Sequence, residues 1–94
     1  MSGAVAARMR AKLEAAFAPV RLEIRDDSHS HAGHMGARPE GETHFAVTIV
    51  SAAFAGQGRV ARQRLVYAAL AEELRDRVHA LQLRTLAPGE DPGP

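Results

Sequence analysis

The 94-residue chain contains no cysteine. That excludes a disulfide staple, a thiol nucleophile and an all-cysteine zinc or iron–sulfur site. Any metal held here must use histidine, carboxylate or a partner's ligands. A reducing compartment is compatible with this usage, and the expected location is cytoplasmic. Tryptophan is also absent, and there are three Phe and one Tyr. Such a chain has no platform of interleaved aromatic and basic residues for stacking bases. No apolar run approaches the roughly 20 residues that span a bilayer, so no membrane partner is expected. Arg8, Arg10 and Lys12 are not followed by an apolar block with a cleavage site, so no secretory signal is expected. An excess of one charge is lacking too. Twelve basic residues face 11 acidic ones, for a net charge of +1. That is too little for electrostatic nucleic-acid binding by itself.

What is present suits one small globular domain. The chain is 46% hydrophobic and 24% charged, an ordinary globular balance. Its length leaves no room for a second domain. A chain of this size buries roughly 60–65% of its unfolded surface, so the core is thin. Residues 5–17 carry Val5, Met9, Leu13, Ala16 and Phe17 at helical spacing, with Ser2 as expected N-cap and Pro19 as stop. Residues 20–26 alternate, with Val20, Leu22 and Ile24 on one face and Arg21, Glu23 and Arg25 on the other, as in a strand with one solvated face. Residues 27–41 hold three His, three Gly and almost nothing to bury, which predicts a long loop. A second strand is predicted over 43–50, with Phe45, Val47 and Ile49 on one face. A turn region around Phe54 spans 51–58. One helix is predicted over 59–75, and a third strand over 78–86, where Leu81 and Leu83 alternate. The domain is assigned to residues 1–87. The Pro, Gly and acid run at 88–94 predicts a disordered tail. The order α-β-β-α-β predicts an α+β fold, with helices on one face of a small three-stranded sheet.

Histidine carries most of the chemical potential. His29, His31 and His34 fall within Ser28-His29-Ser30-His31-Ala32-Gly33-His34. Those spacings suit a metal-binding loop and equally a solvated polar loop. His79 opens the third strand on the face of Leu81 and Leu83, and reads as a structural histidine or as a ligand. His44, at the start of the second strand, reads as structural. Asp26 and Asp27 are adjacent and point apart on a strand, which is poor geometry for an acid–base pair. No nucleophile elbow or ordered triad is present. Gly33-His34-Met35-Gly36 fits the G-x-x-G of KH domains, but it lies between predicted strands rather than helices and is read as accidental. Arg59, Arg62 and Arg64 open the long helix, as an anion or partner surface or as a solvated face. Gln63 shares a stripe with Val66 and Leu70, so it needs a rim position or a hydrogen-bond partner.

Several strings in order resemble the BolA family. They are Leu22-Glu23-Ile24-Arg25-Asp26-Asp27-Ser28, Gly41-Glu42-Thr43-His44-Phe45, and Ser51 with Phe54 and Gly56. Arg62-x-Arg64-x-Val66-Tyr67, Leu70-Ala71-Glu72-Glu73-Leu74 and Val78-His79-Ala80-Leu81 follow. The resemblance runs from about Arg8 to Pro88. It implies a three-stranded mixed sheet packed by helices, similar to class II KH domains. It also implies a non-enzymatic adaptor that pairs with a monothiol glutaredoxin and shares a bridging [2Fe–2S] cluster with it and glutathione. The role implied is iron–sulfur cluster trafficking or iron and redox regulation, with DNA as a further partner for transcription regulators. The implied ligands are His79 and, three residues after Ser28, His31. His34 and His29 are alternative loop ligands. Where the family has R-H-R, this chain has Arg62-Gln63-Arg64, and glutamine does not titrate near neutral pH. Two imidazoles on one iron resemble the Rieske arrangement. The competing functions are a DNA-binding regulator using Arg59, Arg62 and Arg64, and a histidine-loop module binding zinc or copper alone.

Overall fold

The computed structural model describes residues 3–27 and 43–93. The expected histidine loop, with His29, His31, His34 and the G-x-x-G string, lies outside the described residues, as does Ser2. Helix α1 spans Ala4–Phe17 and buries Val5, Met9 and Leu13, the four-residue spacing seen in the sequence. Gly3 is its N-cap. It ends at Ala18, which adopts a left-handed φ of 44° and donates its N–H to the Glu14 carbonyl at 3.0 Å. Pro19 then bars any further helical turn.

Strand β1 (Arg21–Asp26) pairs antiparallel with β2 (His44–Val50), and β2 pairs parallel with β3 (Ala80–Leu86). The sheet is therefore mixed, in the order β1-β2-β3. Its register aligns Ile24, Val47 and Leu83 across one face, and Glu23, Thr48 and Arg84 across the other. Phe45, Val47 and Ile49 are buried against Met9 and Leu13 of α1 and against Val66 and Leu70. The α+β fold with helices on one sheet face stands as the sequence predicted. Leu81 and Leu83 pack half-buried on this core. Val20 departs from expectation. It precedes β1 and leaves 71% of its surface exposed, although its N–H still bonds the Val50 carbonyl at 2.9 Å. Pro19 displaces the strand start by one residue, so the alternation does not reach back to Val20.

A short 3-10 turn (Ala52–Phe54) follows β2. Ser51, fully buried, accepts from the Ala53 N–H at 3.1 Å and donates to the Phe17 carbonyl at 2.6 Å. One hydroxyl thereby caps the turn and ties it to the end of α1, where the Phe17 and Phe54 rings pack tilted by 39° with centroids 5.3 Å apart.

The single helix expected over 59–75 is two: α2 (Arg59–Ala69) and α3 (Ala71–Asp76). Leu70, at φ −106° and ψ 16°, breaks the run while staying fully buried. No glycine or proline stands there, so the bend is a tertiary demand rather than a local one. It turns Glu73, 1% exposed, toward Arg8 at 3.0 Å and Lys12 at 2.8 Å on α1. Burial pushes the Glu73 carboxyl up. Hydrogen bonds from Lys12, its own backbone N–H and Arg8 outweigh this and hold it below the usual carboxylate range. The Glu73 carbonyl also accepts the N–H groups of Arg77 and Val78, which steers the chain into β3.

The segment after residue 87, expected to be disordered, folds back. Pro88–Glu90 forms a 3-10 turn. Glu90 forks onto Arg62 at 2.6 and 3.0 Å, and Asp91 onto Arg21 at 2.7 and 3.0 Å. Composition alone predicted a free tail. Two arginines distant in sequence supply the partners that order it.

Candidate functional site

One rim of the sheet gathers the histidines that the structure describes. The starts of the parallel strands β2 and β3 lie side by side there, with His44 in register with Ala80. The Thr43 carbonyl accepts the backbone N–H of His79 at 2.7 Å and of Ala80 at 3.2 Å. Thr43 is fully buried, so its carbonyl is shielded from water and its pairing with these N–H groups is its means of satisfaction. His79 is exposed and sits one residue before β3. Its exposure puts it at the rim rather than in the core, and strand pairing begins one residue later at Ala80. Its backbone is fixed while its imidazole faces solvent.

Beside it stands His44, whose ring centroid is 6.3 Å from that of His79, with ring planes at 36°. The His44 Nδ1 lies 2.8 Å from the Thr43 hydroxyl oxygen, which fixes the ring's orientation. This pairing is not legible in the chain order, because it depends on the parallel alignment of β2 with β3. Asp27 completes the rim, its N–H donating to the His44 carbonyl at 2.7 Å. Asp27, His44, Ala80 and Gln82 line a shallow cleft. Among the described residues no three His, Asp or Glu side chains gather where they could hold a metal ion. His31 and His34 lie outside the described residues, so His79 is the expected ligand whose position is defined.

At the opposite end of the sheet the expected arginine surface is divided. Arg59 and Arg64 are exposed, and Gln63 is half-buried. Arg62 is turned inward, with 11% of its side chain exposed. Its Nε donates to the Gln57 carbonyl at 2.7 Å and its Nη1 to the Thr85 carbonyl at 3.1 Å. Glu90 takes the remaining fork. Arg62 is thus an internal anchor rather than part of an open basic face. The Arg62 guanidinium, together with the Ala87 N–H, lowers the Glu90 carboxyl to about 2.

No helix among the described residues is long and apolar enough to cross a membrane. Residues 13–90 match the sequence profile of the family described as BolA-like protein. The chain is 49% identical over 96 residues to the chloroplastic protein BOLA1 of Arabidopsis thaliana, covering 97% of this chain. It is 46% identical over 78 residues to the DNA-binding transcriptional regulator BolA of Escherichia coli, covering 83% of this chain and 70% of that one. The solved BolA domain of SufE1 from Arabidopsis thaliana superposes with a TM-score of 0.86 at 44% identity, covering 97% of this chain and all of that domain. Some relatives are longer: this chain spans 60% of Arabidopsis BOLA1 and 24% of the Arabidopsis SufE-like protein 1. A profile match across most of the chain, with that structural likeness, shows that the chain belongs to the BolA-like family.

Proposed function

We propose that this protein is a non-enzymatic adaptor that shares a bridging [2Fe–2S] cluster with a monothiol glutaredoxin, in iron–sulfur trafficking or iron and redox regulation. The observation that carries this reading is the rim: an exposed imidazole, His79, on a backbone clamped by buried Thr43. The donor chemistry fits a shared group. A chain without cysteine offers imidazoles, and the partner's cysteine and glutathione would supply the thiolates. Segment 28–42 leaves the described structure at Asp27 and rejoins it at Thr43, both on this rim. His31 is four residues beyond Asp27 in the sequence. His79 and His31, with His34 as the alternative, would hold one iron. When bound, the cluster supplies one-electron redox chemistry, at a potential raised by imidazole ligation. The cytoplasm is the proposed compartment.

Co-expression with a monothiol glutaredoxin, followed by visible absorption and circular dichroism of the purified pair, tests the proposal. A complex that forms with no cluster signal overturns it. A second reading, a DNA-binding regulator, is favoured by the name of the Escherichia coli relative and by exposed Arg59 and Arg64. DNA affinity should then fall with salt at a log–log slope near −0.9 per phosphate contact. A cluster-bridged pair should depend on glutathione instead.

A further inference from the structure

Three arginines line one cleft at the end of the sheet away from the histidine rim, and one of them, Arg62, holds the Glu90 carboxylate. Arg59 and Arg84 line the same cleft as Arg62 and Glu90, with the Gln63 side chain beside them. Arg59 and Arg84 are exposed and neither contacts Glu90; Arg84 lies near enough to Asp91 to help lower its carboxyl, but Asp91 is itself held by Arg21. The cleft therefore keeps a positive excess with Glu90 seated in it. Arg62 is aimed independently of Glu90, since the Gln57 and Thr85 carbonyls hold its Nε and Nη1. Its fork stays in place if the carboxylate leaves. Glu90 is also held by the Ala87 N–H at 2.9 Å, yet its side chain is 48% exposed and it sits in a single 3-10 turn beyond the last strand, so a ligand can reach the contact from solvent.

We infer that this cleft is a binding site for a phosphoryl group, and that the Glu90 carboxylate is its resident occupant. Arg62 would grip two phosphoryl oxygens, and Arg59 and Arg84 would meet the charge that a carboxylate lacks. The choice of ligand follows from competition. A tethered carboxylate acts at an effective concentration on the order of millimolar, so a free monocarboxylate gains nothing over it. A phosphoryl group carries up to two charges and three acceptor oxygens, and arginine forks match it bidentately. The tail thus sets the threshold for binding. This site is separate from the histidine rim and stands or falls without the cluster.

The test is calorimetric titration of the full chain at low ionic strength with inorganic pyrophosphate and, separately, with a short DNA duplex. Glu90→Gln should bind roughly tenfold tighter than the native chain, as for a site filled by its own occupant some nine-tenths of the time. Adding Arg84→Gln to that variant should cancel the gain. A gain for both probes identifies a free phosphoryl compound as a sufficient ligand. A gain for duplex alone identifies a nucleic-acid backbone. Glu90→Asp keeps the charge but withdraws the carboxylate by one methylene. It should fall between native and Glu90→Gln, and it carries the test if Glu90→Gln fails to fold. Equal affinity in the native chain and both Glu90 variants, or a gain that survives Arg84→Gln, overturns the inference.

Discussion

At the scale of single residues, the proposed chemistry rests on a side chain whose backbone is held by a buried neighbour. His79 owes its place to the Thr43 carbonyl, and His44 stands 6.3 Å away. His79→Ala should therefore remove most of the absorption of a cluster shared with glutaredoxin. Any remainder should vanish on adding His44→Ala, whose ring is near enough to substitute at some cost in geometry. His31→Ala should be milder, because His29 and His34 lie in the same stretch of chain. An unchanged spectrum in His79→Ala alongside a lost one in His31→Ala would reverse the assignment of the principal ligand. His79 was legible through the V-H-A-L string, but its neighbour was not. His44 and His79 are far apart in sequence, and only the parallel register of β2 and β3 joins them. Ser51 is a second case. It reads as a turn residue, yet its hydroxyl satisfies two backbone groups from different elements. Ser51→Ala should cost about 1–2 kcal/mol in urea unfolding, as for a lost cap that also strands a buried carbonyl. A loss below about 0.5 kcal/mol would mean that water replaces the hydroxyl.

At the scale of elements, periodicity was a good guide wherever a segment has one buried face. Phe45, Val47 and Ile49 at period two placed β2, and Val5, Met9 and Leu13 at period four placed α1. The split of the second helical run was not legible, since Leu70 and its neighbours carry no breaker residue. What bends the chain is the fit of α3 against α1, fastened by Glu73 with Arg8 and Lys12. This pair belongs to the class in which removing the buried partner costs more than any exposed pair. Glu73→Gln should destabilise by about 1–2 kcal/mol. That is at the low end for a charged hydrogen bond, because Arg8 and Lys12 regain their hydration. Glu73→Leu should cost less, since it removes the buried polar group instead of leaving it poorly partnered. Glu72, which also meets Lys12 but is 57% exposed, should matter little. Thermal unfolding of the Glu72→Gln and Glu73→Gln variants decides this. Equal midpoints would show that the α1–α3 contact is held by its apolar residues alone.

At the scale of the whole molecule, the C-terminal segment joins parts that the sheet alone does not. It leaves β3, meets Arg62 on α2 through Glu90, and reaches Arg21 on β1 through Asp91. Composition could not reveal this, because the partners lie 28 and 70 residues away in sequence. The strap has a pH signature with a definite sign. Arg62 and the Ala87 N–H hold the Glu90 carboxyl at about 2, and Arg21 and the Gly93 N–H lower Asp91. In the unfolded chain Glu90 returns to the ordinary value of 4.5. Between those values the unfolded state binds more protons, so acid favours unfolding. The contribution of Glu90 is complete above about 4.5. It declines as pH falls below that value and is gone once pH passes below about 2. The difference in urea midpoint between the native chain and Glu90→Gln should accordingly be steady from neutral pH down to about 5, then shrink toward zero near about 2. It should also narrow at high salt, because the carboxylate is half exposed. A difference that stays constant into acid would mean that Glu90 acts through its turn geometry rather than its charge. The same substitution is expected to tighten phosphoryl binding. Lower stability and higher affinity in one variant are what a resident occupant implies, since the contact that holds the strap down is the contact a ligand must replace.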